Sequence, residues 1–243
     1  MHTAKKQYEM DMCSGSILKK MLLFTLPLML SSILQLLFNA ADIVVVGKFA
    51  GDNALAAVGS NTALINLLTN LFVGFSIGAN VTAARHYGAK CEKDLEETVH
   101  TSIAMSFASG LLLMIVGLIG AKQFLIWMQT PEEVLSLATL YLHIYFIGMI
   151  PNMVYNFGSA LLRSVGDTRR PLYYLTFAGC VNVVLNLLTV IVLHLDVAGV
   201  AIATVISETI SAVWFYAVCV RNRGQCTCSG ANCGFTVERC CKS

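Results

Sequence analysis

Charge is what this sequence has least of. Charged residues make up 12% of the 243-residue chain, against 56% hydrophobic residues and a mean hydropathy of +0.71. A soluble globular domain carries about 25% charged residues, so the composition excludes that class. A net charge of +2 is too small to mark a nucleic-acid partner. Enzyme signatures are missing too: the sequence shows no nucleophile–base pair, metal motif or phosphate loop. No cleavable leader is evident, because Met1 to Ser16 is polar, no small-residue cleavage site follows, and the first apolar run is too long. That run therefore reads as a retained membrane span. Cysteine is plentiful by contrast, with nine residues, five of them in the last 18 positions. The tail pattern is C-x-C and C-C rather than paired C-x-x-C, so zinc-ligand spacing is absent.

What the chain does have is long apolar runs. Six segments are readable, at about 17–46, 54–83, 99–120, 134–161, 172–193 and 198–220. The fold class is all-α: a polytopic membrane protein with six transmembrane helices. A polar segment (1–16) precedes this lobe (17–220), and a cysteine-rich tail (221–243) follows it. Short connections make neighbouring spans antiparallel. Of the 16 basic residues, 14 fall on one side of this arrangement and only Lys48 and Lys122 on the other, which puts both termini in the cytoplasm.

Met21 to Val46 is the most informative span. It holds Pro27, a candidate hinge because proline removes a helical hydrogen bond. Gln35, Asn39 and Asp42 follow at i, i+4 and i+7, on one face. An acid with polar neighbours inside a membrane span marks an ion or substrate path. Its depth is a counterweight: Asp42 lies 22 residues past Lys20, about 33 Å along a straight helix, which is near the outer rim.

Similar stripes recur in the other spans: Thr62, Asn66, Asn70; Ser102, Ser106, Ser109; Asn152, Asn156, Ser159; Asn182, Asn186, Thr189; and Thr204, Glu208, Ser211. Any one stripe reads as interhelical hydrogen-bond glue, but six together with two acids favour a shared hydrated cavity. Glu208 reads as a second proton or cation site, or as a carboxyl paired with polar neighbours. Gly74 and Gly78 form a G-x-x-x-G pair suited to close helix contact. Thr130-Pro131-Glu132-Glu133 reads as a capping box with proline at the first helical position.

Several strings resemble the multidrug and toxin extrusion (MATE) family. They are Pro27-x14-Asp42 followed by ALAAVG, HYGAKCEKDLEETVHT after the second span, LRSVGDTRRP at Leu162 to Pro171, NVVLN at Asn182 to Asn186, and GVAIATVIS at Gly199 to Ser207. The likeness runs from about Ser14 to Val220. It implies a twelve-helix exporter of two six-helix lobes. Such an exporter sits in the plasma (inner) membrane and moves cationic amphipathic drugs outward in exchange for H+ or Na+, by alternating access and without a cofactor. The family's cation site falls on Asp42, Asn182, Asn186 and Thr204. Its first-lobe cavity falls on Gln35 and Asn156, with Tyr141 where relatives have a cavity tyrosine. Many prokaryotic relatives carry an acid where Asn186 stands, so one titrating group fewer is expected here.

The resemblance covers the first lobe only. The tail RNRGQCTCSGANCGFTVERCCKS reads as truncated or out-of-frame sequence, which would make a C-terminal lobe or another half-lobe the missing partner. Two alternatives stand beside the exporter: a flippase for lipid-linked saccharides, disfavoured by spans without interior Lys or Arg, and a non-transporting half-lobe that binds another protein.

Overall fold

The computed structural model describes residues 17–89, 91–193 and 195–227. These residues form helices α1 (Ile17–Phe49), α2 (Asp52–Gly88), α3 (Glu92–Trp127), α4 (Glu132–Ile147), α5 (Met149–Ser164), α6 (Arg169–Leu187) and α7 (Asp196–Thr227), with a π-helical turn at Leu188–Val192. No strand occurs among the described residues. Helices alone satisfy every backbone group within one segment, which hydrocarbon requires. Five helices are long and apolar enough to cross a membrane, and α4 with α5 forms a bent sixth. The protein is therefore an all-α, polytopic membrane protein.

Surface and core are both apolar, as a bilayer solvent allows. On α1, Leu22, Leu26, Leu30, Ile33 and Leu36 are exposed. The main core lies elsewhere, around Leu113, Leu125, Leu142, Phe146, Met149 and Met153, where α3, α4 and α5 meet. Tight glycine contacts set the spacing. A Cβ on Gly117 of α3 would sit 2.0 Å from the Phe146 ring, and one on Gly179 of α6 would sit 2.0 Å from Phe38 of α1. Two turns need left-handed glycines: Gly51 (φ 86) joins α1 to α2, and Gly166 (φ 84) lies between α5 and α6. Asp167 closes the second turn. It accepts hydrogen bonds from the backbone N–H groups of Arg169 and Arg170 and pairs with Arg170 at 3.0 Å. Burial nonetheless pushes its carboxyl above the usual range, against the pull of those donors and of Arg170.

The structure corrects four sequence expectations. The segment 134–161 is two helices, bent by 51° at Gly148. Pro151 explains the break, because it has no N–H to return to the Ile147 carbonyl. The fifth span leaves α-geometry after Leu187, in the π-turn. Gly74 and Gly78 are not close-packing points, since an added Cβ at either meets nothing within 4 Å. The capping box is absent because helix α4 begins one residue late. Pro131 occupies the N-cap (φ −55, ψ 140), no side-chain cap bond forms, and the Thr130 hydroxyl is buried without a partner.

Thr130→Val is therefore expected to leave thermal stability unchanged or to raise it by up to about 1 kcal/mol, because the isostere removes an unpaired polar group. A comparable loss in the unfolding midpoint would restore the capping role.

The first helix runs through Pro27 without interruption, and the Ser31 hydroxyl donates to the Pro27 carbonyl at 2.8 Å. α7 continues to Thr227, so part of the expected tail is helical. The rest of the tail, Cys228 to Ser243, and the segment 1–16 lie outside the described residues.

Candidate functional site

A cavity of about 120 Å³ opens among α1, α5, α6 and α7. From α1 come Gln35, Phe38, Asn39 and Asp42; from α5, Asn152, Tyr155 and Asn156; from α6, Leu175, Ala178, Gly179 and Asn182; from α7, Thr204, Ser207, Glu208 and Ser211. The helical spacing explains the set. Residues three or four apart share a face, so each helix contributes a run such as Gln35–Phe38–Asn39–Asp42. No Lys or Arg lines the space, and its only acids are Asp42 and Glu208.

Two hydrogen-bonded chains of side chains support these acids. Asp42 accepts a hydrogen bond from Asn186 Nδ2, which also donates to Asn182 Oδ1 at 3.2 Å. Asn182 Nδ2 in turn faces the hydroxyls of Thr204 and Ser207, each at 3.4 Å. This set joins α1, α6 and α7 through small oxygen-bearing groups. Asn186 is fully buried, and its Oδ1 has no hydrogen-bond partner. The second chain joins α5 and α7. Asn156 Nδ2 donates to Asn152 Oδ1 at 2.9 Å, and Asn152 Nδ2 donates to Glu208 Oε1 at 2.6 Å.

Most site residues read from the sequence meet here. Asp42, Asn182, Asn186 and Thr204 form one connected group, and Gln35, Asn39, Asn156 and Glu208 line the same space. Asn186 stands behind the wall rather than on it. Tyr141 is not among the lining residues: it is 7% exposed in the hydrophobic core, stacked on Tyr145 at 6.0 Å and within electrostatic range of Asp42 and Glu208. The bend at Gly148 is the reason, since only α5, beyond the bend, reaches the cavity.

The shared-cavity reading holds for four helices and fails for two. On α2, Thr62, Asn66 and Asn70 are exposed and are not part of this lining. On α3, Ser102, Ser106 and Ser109 are buried and return their hydroxyls to carbonyls of their own helix at 2.6 to 2.7 Å. That is the local glue. Thr189 does the same at 2.8 Å to the Leu185 carbonyl.

Sequence reasoning missed Phe38, Tyr155, Gly179 and Ser207 as lining residues. Phe38 and Ser207 share the face of Asp42 and Thr204, so spacing held the signal, but polarity marks only Ser207. The contact of Gly179 with Phe38 has no sequence signature. Asn61 was also missed: it is fully buried and ties α2 to α4 through a 2.9 Å bond to the Ala138 carbonyl.

Comparison with known proteins places this geometry. The MatE family model matches residues 27–188. The probable multidrug resistance protein YoeA of Bacillus subtilis (strain 168) is 34% identical over 214 residues, covering 86% of this chain and 46% of that protein. The probable multidrug resistance protein YpnP of the same organism is 28% identical, covering 86% and 47%. Among solved structures, MATE in the bent conformation superposes with a TM-score of 0.81 at 25% identity, covering 86% of this chain and 46% of that one. An outward-facing multidrug resistance MATE family transporter of the MOP superfamily gives 0.80 at 25% identity. The chain thus spans about half the length of the curated relatives it matches. With the family model matching well over half of its residues and the helices superposing on solved members, this chain belongs to the MatE family.

Proposed function

We propose that this chain is the first lobe of an ion-coupled exporter of cationic amphipathic compounds, with Asp42 carrying the coupling ion, H+ or Na+. The carrying observation is the position of Asp42: it lines a cavity without basic residues and is held there by Asn186. Asn182, Thr204 and Ser207 extend that pair into a connected group of oxygen-bearing side chains, in which the unpartnered Oδ1 of Asn186 is a further acceptor.

Exchange follows from electrostatics. A cation in the cavity is attracted by Asp42, and neutralising that carboxylate removes the attraction. Two unit charges about 8 Å apart at an effective dielectric of about 20 interact by about 2 kcal/mol, roughly thirtyfold in affinity. An ion on Asp42 and a cationic drug in the cavity therefore disfavour each other. A flippase for phosphate-bearing lipids would need cavity cations, and the lining has none.

The relatives are named as probable multidrug resistance proteins, which supports drugs as the cargo, and the match to only 46–47% of their length supports a second lobe as the partner. Basic residues support termini in the cytoplasm, with the plasma membrane as the proposed location. Lys19, Lys20, Arg85, Lys93, Arg163, Arg169 and Arg170 all lie at helix ends that alternate antiparallel packing gathers on one side. Pro27 remains the proposed hinge of α1, where the missing N–H leaves the helix easiest to bend.

The test is binding of ethidium, read by fluorescence, to the purified chain in lipid nanodiscs. Acidification or added Na+ is expected to weaken it by roughly tenfold or more. Affinity indifferent to both ions would overturn the exchange reading.

A further inference from the structure

Within that reading, Asp42 accounts for one of the two acids of the cavity. We propose that Glu208, held from α5 by Asn152, is the anchor for the cationic group of the organic substrate, while Asp42 holds the coupling ion. This inference rests on the exporter reading above and assigns the two charges to different carboxyls.

The geometry separates the two acids by surroundings. Asp42 is set among Asn186, Asn182, Thr204 and Ser207, a group of short side chains whose oxygens suit a proton or a small inorganic cation. Glu208 is set against α5. Asn152 donates to one of its oxygens at 2.6 Å, and Asn156 fixes Asn152 through a 2.9 Å bond. Asn156 is fixed in turn by a 3.0 Å bond to the Asn152 carbonyl. That series orients the carboxylate while engaging only one oxygen, Oε1. No Lys, Arg or His pairs with Glu208 among the described residues.

One helical turn along α5, Tyr155 also lines the cavity, its hydroxyl donating to the Pro171 carbonyl at 3.3 Å. A cavity that combines an oriented carboxylate with an aromatic side chain suits an organic cation. The other titratable groups in electrostatic range of Glu208 are Tyr141 and Tyr145 of α4; Asp42 of α1 lines the same cavity, and the residues lining it from α6 are uncharged.

A purely structural role predicts something different. Glutamine at this position keeps the acceptor for Asn152 and loses only the charge, so glue would survive Glu208→Gln and a cation anchor would not. The experiment measures ethidium affinity for the nanodisc-embedded chain, with and without acid or Na+, for wild type, Glu208→Gln and Asp42→Asn. Glu208→Gln is expected to weaken ethidium roughly tenfold or more while keeping the response to the coupling ion. Asp42→Asn is expected to flatten that response. Asn152→Ala, which frees the carboxylate without removing it, is expected to weaken ethidium by a smaller factor, and it reads the same wall should Glu208→Gln fail to insert.

Wild-type affinity in Glu208→Gln, or in Asn152→Ala if that variant alone is available, overturns the anchor and leaves the exporter reading standing. So does loss of the ion response in Glu208→Gln to the same extent as in Asp42→Asn. A wild-type chain that ignores the coupling ion overturns the exporter reading instead, and the assignment of charges falls with it.

Discussion

Asp42→Asn is expected to leave the helices inserted and folded while abolishing the effect of acid and of Na+ on organic-cation binding. Asparagine has nearly the volume of aspartate, and its Oδ1 still accepts the Asn186 amide that now reaches the carboxylate. The α1–α6 contact through Phe38 and Gly179 is untouched, so the thermal midpoint is expected to move little. What disappears is the charge. The variant is fixed in the state that the coupling ion creates, so ethidium binds with the weaker affinity under all conditions, roughly tenfold or more below the wild type in alkaline, sodium-free medium. Neither acidification nor Na+ lowers it further. An Asp42→Asn chain that still releases ethidium on adding the coupling ion would place the ion elsewhere. Glu208 would then be the first alternative, because it is the other acid in the lining.

The largest stability effect is expected from Gly117→Val. A Cβ on Gly117 lies 2.0 to 2.3 Å from three atoms of the Phe146 ring, and Phe146 is fully buried at the centre of the core. The ring has no free space into which to turn, and α3 cannot withdraw without losing its packing on α4 and α5. Overpacking of this kind costs about 3 kcal/mol or more, which is about 6–12 °C in the unfolding midpoint for a chain of this size. Gly74→Val is the matched control: nothing lies within 4 Å of its added Cβ, and the expected change is within about 0.5 kcal/mol. Equal losses in the two variants would mean that the G-x-x-x-G pair of α2 is packed after all. A harmless Gly117→Val would mean that α3 and α4 are spaced more widely than described here.

The legibility of the site in the sequence follows from the physics of each feature. Spacing on a single helix was readable. Gln35, Asn39 and Asp42 share a face in any helix, and they share it here; so do Thr204, Glu208 and Ser211. Which way a face points was not readable. The serine stripe of α3 has the same period as the stripe of α7, yet its hydroxyls bond to their own helix and line nothing. A hydroxyl can bond a carbonyl one turn back, whereas a carboxylate cannot, so short polar side chains are poor witnesses to a cavity. Tyr141 is off the lining for a different reason. Its helix was read as continuous with Asn152 and Asn156, and Gly148 with Pro151 breaks that continuity by 51°.

By itself, the sequence determined that this chain lives in a membrane, how many times it can cross, and which helices carry intramembrane acids. Those properties depend on composition and on periodicity within single helices, and hydrocarbon solvent leaves few alternatives. The pairing of Asp42 with Asn186, the series from Asn156 through Asn152 to Glu208, and the seating of Phe38 on Gly179 were decided only in three dimensions. Each of these joins helices that the chain order separates by up to 144 residues. Their meeting depends on a bend, a π-turn and glycine contacts, whose geometry no pattern of polarity encodes.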